Sequence, residues 1–215
     1  MNAGLLPDDV DGLERPWTAI GLVLALFALP VLAALPVEIG ALEGDLVKWL
    51  LVLILVVIVV RFEEQPLSSI GLRRPRLIDA ARILAIVVLG VGVFVITDSI
   101  VSNFGLPVRD GISRPSLAVG LFSAITAGVT EEVLFRGYPI ERLTDAGYTP
   151  LLAGTITWGL FTVAHAPSYP AGTVLQIAVV AGLFTAVYVR TRSLFPVVIG
   201  HVLIDVVGVL AYFYT

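Results

Sequence analysis

Seven long apolar runs, separated by short stretches of charge, proline and glycine, constrain this chain more than any other feature. They lie near residues 18–36, 46–62, 80–101, 116–142, 151–166, 172–190 and 194–213. A helix needs roughly 20 apolar residues to cross the hydrocarbon core, fewer where flanking charges can snorkel. The runs break at Pro36 and Glu43 and across 73–75, 107–115, 147–150, 167–170 and 190–193, where turn residues and charge end helices. The second run is the weakest, because it is short and starts at Lys48. Only 14% of the residues are charged and 58% are hydrophobic, against roughly 25% charged in soluble domains. Such a chain cannot cover a soluble globule with polar side chains. The expected fold class is therefore all-α, a polytopic membrane helix bundle of about seven transmembrane helices, with six to eight as the range.

The same composition excludes several functions. A net charge of -4 argues against nucleic acid as a partner, which requires a clustered basic face. The absence of cysteine removes disulfides, thiolate nucleophiles and Cys-ligated zinc together. Twelve of the 13 basic residues are arginine, a bias that fits genome composition and a prokaryotic cell membrane. Asp8, Asp9, Asp11, Glu14 and Arg15 precede the first run, the opposite of the basic start of a signal peptide, so that run reads as a true first helix.

Lys and Arg accumulate on the cytoplasmic side of short loops. With the N-terminus inside, the inner segments hold Arg15, Arg61, Arg73, Arg74, Arg76, Arg82, Arg136, Arg142, Arg190 and Arg192, and the outer ones hold Lys48, Arg109 and Arg114. The expected topology of this multi-pass protein places the N-terminus and the arginine-rich loops in the cytoplasm. No linker or repeat marks a second domain. The chain 1–215 divides into a short segment 1–17, three motif-free helices over 18–101 and a motif-bearing core over 116–213.

Ionisable residues at bilayer depth are expensive and point to function. They are Asp98 in the third run, Glu131, Glu132 and Arg136 in the fourth, His165 in the fifth, and His201 and Asp205 in the seventh. Glu132 and Arg136 are four apart with the acid first, the favourable order for a helical pair. Glu131 points about 100° away and its own i+4 neighbour is Phe135, so nothing on its helix neutralises it. A carboxylate in that position is a candidate general base for water, with plain hydrogen bonding between helices as the even alternative. His201 and Asp205 share a helix face, where the carboxylate can orient the imidazole or join it in holding a water or a metal. The helical rise places Glu131, His201 and Asp205 about 12 to 18 Å from the inner edge and His165 deeper, at about 21 Å, while Asp98 lies nearer the outer edge.

Three motifs now stand in order on separate apolar helices: Glu131 to Arg136 as EExxxR, Phe161 to His165 as FxxxH, and His201 to Asp205 as HxxxD. Together they resemble the intramembrane protease family that contains the type II CAAX prenyl proteases and the bacteriocin-processing and immunity proteins. The resemblance covers 116–213, and the SSIGLRR stretch at 68–74 is more loosely similar to a loop upstream of the family's core. It implies that Glu131 activates the attacking water, that His165 holds this water with it, and that Glu132 and Arg136 support the site, with Phe161 in the FxxxH motif. It also implies that His201 and Asp205 stabilise the oxyanion. Asp205 departs from the pattern of the prenyl proteases, which carry asparagine there. Aspartate does occur there elsewhere in the wider family, but an ionised aspartate cannot donate a hydrogen bond to an oxyanion, so Asp205 would have to be protonated, orient His201 or ligate a cation.

The resulting expectation is an intramembrane endopeptidase that hydrolyses a membrane-associated peptide or protein by Glu-activated water, close to the cytoplasmic half of the bilayer. Its partners are that substrate and the lipid bilayer. No cofactor is favoured. Zinc or another divalent metal on Glu131, His165, His201 and Asp205 is the alternative, which would make the enzyme a metalloprotease. A non-proteolytic scaffold or self-immunity protein of the same family is a second alternative, and a proton relay through the bundle a third.

Overall fold

Apolar chain with no water to bond must satisfy its backbone N–H and C=O groups internally, which favours helices. A computed structural model of the protein describes residues 16–36, 39–108 and 116–214, and every regular element among them is helical. The segment 1–15, with Asp8, Asp9, Asp11, Glu14 and Arg15, lies outside the described residues, as do Arg109 and Arg114. The elements are α1 (Pro16–Ala34), α2 (Ala41–Val57), α3 (Leu77–Asn103), α4 (Leu117–Glu132), α5 (Tyr138–Asp145), α6 (Pro150–His165), α7 (Ala171–Thr191) and α8 (Leu194–Tyr214). A π turn at Ile58–Phe62 prolongs α2, and a second at Val133–Gly137 joins α4 to α5, so the described residues form seven rods. Each of the seven apolar runs corresponds to one rod.

Among the described residues five stretches are long and apolar enough to cross a membrane: Pro16–Ala34, Leu77–Asp98, Leu117–Asp145, Ala171–Thr191 and Leu194–Tyr214. The other two helices, α2 and α6, have 17 and 16 residues and are shorter than these. Local chemistry sets the boundaries. Ser116 caps α4 by accepting from the Val119 N–H at 3.2 Å, and Thr149 caps α6 by accepting from the Leu152 N–H at 3.2 Å ahead of Pro150. α7 ends where Arg192 turns left-handed at φ 50°.

The α4–α5 rod sits at the centre, packed against α2, α6 and α8, while α3 lies outside and touches mainly α7 and α8. Small residues let these helices approach closely. A Cβ added to Gly128 of α4 would overlap Val202 Cγ2 of α8 and stand 2.8 Å from the Val202 backbone nitrogen.

One end of the bundle is tied by a buried polar clasp. Glu63, just past the first π turn, accepts hydrogen bonds from Thr18 Oγ1 at 2.9 Å, Tyr138 Oη at 2.8 Å and Arg142 Nε at 2.9 Å. Arg142 also donates to Ser69 at 3.1 Å, which pins the SSIGLRR loop. That loop turns at Gly71, whose φ of 83° suits glycine alone, and its Gly71 carbonyl accepts from the Leu194 N–H at 2.8 Å. The Arg142 and Glu63 side chains are 5% and 3% exposed, so the pair is desolvated.

Two outcomes follow for thermal unfolding in detergent. Arg142→Met leaves Glu63 buried without its cation and should destabilise by about 3–5 kcal/mol. Gly128→Ala should cost about 1–3 kcal/mol by forcing α4 and α8 apart.

Candidate active site

α4 places two consecutive glutamates where the helix gives way to the π turn, a local irregularity often found at functional sites. Their side chains go different ways. Glu132 is fully buried, and its Oε1 accepts from Arg136 at 3.0 Å, as the i+4 spacing predicts. The same oxygen accepts from His201 Nδ1 at 2.8 Å, which ties α4 to α8. Its Oε2 has no hydrogen-bond partner among the described residues. Arg136, also fully buried, donates to the Ala181 carbonyl at 3.3 Å and to Thr185 at 3.5 Å, so it reaches α7 as well.

The Arg136 guanidinium lies 4.2 Å from the centre of the Phe161 ring, and the Phe161 ring lies 4.4 Å from that of His165. Phe161 thus packs against both, with the cation over its ring and the imidazole tilted by 46° to it. The His165 Nδ1 stands 2.7 Å from the Phe161 carbonyl oxygen. A carbonyl only accepts, so Nδ1 carries the proton, and the neutral ring keeps its lone pair on Nε2. The FxxxH motif therefore sets both the position and the tautomer of His165.

His201 is held from both sides. Nδ1 donates to Glu132, and Nε2 stands 3.6 Å from Asp205 Oδ2, one helical turn away. Asp205 Oδ2 thus stands beyond hydrogen-bond distance of His201, and Glu132 makes the short bond.

Glu131 has a partner that its own helix does not supply. The Lys48 ammonium of α2 stands 2.8 Å from Glu131 Oε1. Counting Lys48 with an outer segment missed this, because α2 starts at Ala41 and so carries Lys48 well inside the helix. Asp45 and Trp49 lie on the same face and bond to α4, Asp45 to Ser123 at 2.5 Å and Trp49 Nε1 to Thr126 at 3.0 Å. The signal was the spacing: Asp45, Lys48 and Trp49 recur at three and four residues, the repeat of one helical face.

Glu131, His165, His201 and Asp205 all line one cavity of about 710 Å³, together with Lys48 and Phe161. The difference in depth expected for His165 does not separate it from the others. Glu132 and Arg136 stand behind this wall, and the exposed Asp98 lines none of it. Among the described residues no three His, Asp or Glu side chains are grouped to hold a metal ion. Lys48 already supplies a positive charge to Glu131, and both His201 nitrogens face carboxylates. Glu131, His165, His201 and Asp205 thus share one cavity, with their polar atoms already engaged by other side chains at Glu131 and His201.

Fold and site together define a polytopic helical membrane protein with a carboxylate and imidazole cavity inside the bundle. The stretch that carries this cavity's motifs matches, over residues 113–207, the family model described as Type II CAAX prenyl endopeptidase Rce1-like. The resemblance drawn from the three motifs holds for that stretch, and the match points to a peptidase. No curated protein and no solved structure matches the chain.

Arg136→Met should destabilise the fold by about 3–5 kcal/mol, read as a sharply lowered unfolding temperature, because Glu132 is then buried with His201 as its one remaining donor among the described residues. Phe161→Leu, which removes the ring packed against both Arg136 and His165, should cost less, about 1–2 kcal/mol.

Proposed function

We propose that the protein is an intramembrane endopeptidase that hydrolyses a membrane-associated peptide with a water activated by Glu131. The observation that carries this reading is the convergence of Glu131 and His165 on one cavity, in a stretch matched by a peptidase family. Lys48 occupies Glu131 Oε1, and Oε2 receives no protein hydrogen bond among the described residues. A water between Oε2 and His165 Nε2 would donate to both acceptors, the geometry a general base requires. The water oxygen attacks the scissile carbonyl carbon while Glu131 takes its proton. The same proton then passes to the leaving amine as the C–N bond breaks, giving a new carboxylic acid and a new amine. His201, braced by Glu132, lines the wall against which the peptide lies.

In this reading the arginine-rich end, including the Glu63 clasp, faces the cytoplasm of a prokaryotic cell and the substrate reaches the cavity from the bilayer. Reaction by Glu-activated water is preferred to the zinc alternative because Lys48 already pairs with Glu131 and Glu132 already holds His201 Nδ1.

Comparison of peptides released from membranes containing the wild-type protein or Glu131→Ala, read by mass spectrometry, tests the assignment. At least one cleavage product should fall by about 100-fold or more in the variant. Undiminished turnover by folded Glu131→Ala would sink it.

A further inference from the structure

The hydrolytic reading leaves one requirement unmet. As the carbonyl becomes tetrahedral its oxygen acquires a full negative charge, and a donor must be aimed at that position. Asp205, the position for which the resemblance implies that task, has no N–H to offer and is acceptor-only when ionised. His201 is committed as well, with Nδ1 on Glu132 at 2.8 Å and Nε2 facing Asp205 at 3.6 Å. His165 uses its one N–H on the Phe161 carbonyl. Arg136 is fully buried behind the cavity wall.

Lys48 is different. Its ammonium carries three N–H donors, of which one is directed at Glu131 Oε1. Its side chain is 23% exposed and lines the cavity, so the other donors can reach it. Among the described residues it is also the single lysine or arginine that lines the cavity. A carbonyl attacked by a water on Glu131 must lie beside that carboxylate, in the cavity where the Lys48 ammonium stands 2.8 Å from Oε1. We infer that Lys48 is a catalytic residue, the cation that binds the oxyanion of the tetrahedral intermediate. This role rests on the hydrolytic reading above. It lies in α2, outside the stretch 113–207 matched by the family.

The step balances without a further reagent. Water adds to the carbonyl, Glu131 holds the proton, and the oxyanion pairs with the Lys48 ammonium. Collapse re-forms the C=O bond and expels the amine, which takes the proton from Glu131. Lys48 is charged throughout.

The absence of cysteine from the chain provides the test, since Lys48→Cys introduces a single thiol. Purified variants in proteoliposomes would be given a synthetic peptide spanning the cleavage sequence defined by the Glu131-dependent product. Lys48→Cys should lose about 100- to 1,000-fold in kcat, the loss typical of one oxyanion donor, with KM within about threefold. Treatment with 2-bromoethylamine rebuilds an ammonium of lysine length and should restore the rate to within about tenfold of wild type. Methylthiolation, which adds bulk without charge, should restore nothing. Lys48→Gln, which keeps a donor toward Glu131 and a similar length, should still lose at least about tenfold in kcat, and it stands in if Lys48→Cys does not fold. Full turnover by Lys48→Gln or by untreated Lys48→Cys would overturn the role while leaving the Glu131 assignment intact. Equal rescue by the neutral reagent would show that Lys48 fills space only. If the wild type releases no Glu131-dependent product, the hydrolytic reading falls and this role with it.

Discussion

The site depends on a carboxylate with no access to water. Glu132 is completely buried in the middle of the bundle, where an unpaired charge is not tolerated, so its neighbours are dictated by it. Arg136 answers from the same rod and His201 from α8. Arg136 in turn must spend its remaining donors, and it does so on α7 through the Ala181 carbonyl and Thr185. Its flat face covers Phe161, and Phe161 positions His165. One desolvated charge thus connects α4, α6, α7 and α8 and fixes both histidines of the chain. The close approach of α4 to α8 at Gly128 brings the two helices near enough for that bond.

The helices outside the family match are part of the same construction. α1 and the end of the second rod close the clasp at Glu63, which anchors the SSIGLRR loop and the start of α8 through Gly71 and Leu194. α2 lies along α4 with its polar face inward, Asp45 on Ser123, Trp49 on Thr126 and Lys48 on Glu131. The cavity accordingly holds acids from three helices, Asp45, Glu131 and Asp205, and a basic group that enters from α2.

Most of the site was legible in the sequence because polar residues are scarce there and stand out against apolar surroundings. Glu131, His165, His201 and Asp205 are conspicuous inside runs of valine, leucine and alanine, and i, i+4 spacing alone pairs Glu132 with Arg136. The fold class was legible for the same reason. Contacts between helices far apart in the chain were not. No spacing rule tells which oxygen His201 Nδ1 finds 69 residues away, or that Glu63, which looks like a loop charge, is the buried acceptor of three donors. Lys48 was hidden by its place at the edge of a run, where a lysine reads as a snorkelling flank. The true start of α2 at Ala41 moves it inside the helix, and only packing against α4 reveals its partner.

The most direct test of the central claim is hydrolysis in H₂¹⁸O. Membranes bearing the wild-type protein or Glu131→Gln would be incubated in labelled water and the released peptides analysed for ¹⁸O at each new C-terminal carboxylate. The account predicts a product that carries one ¹⁸O and is formed only when Glu131 is present. Labelled products formed equally by the two proteins, or a Glu131-dependent product without label, would contradict it.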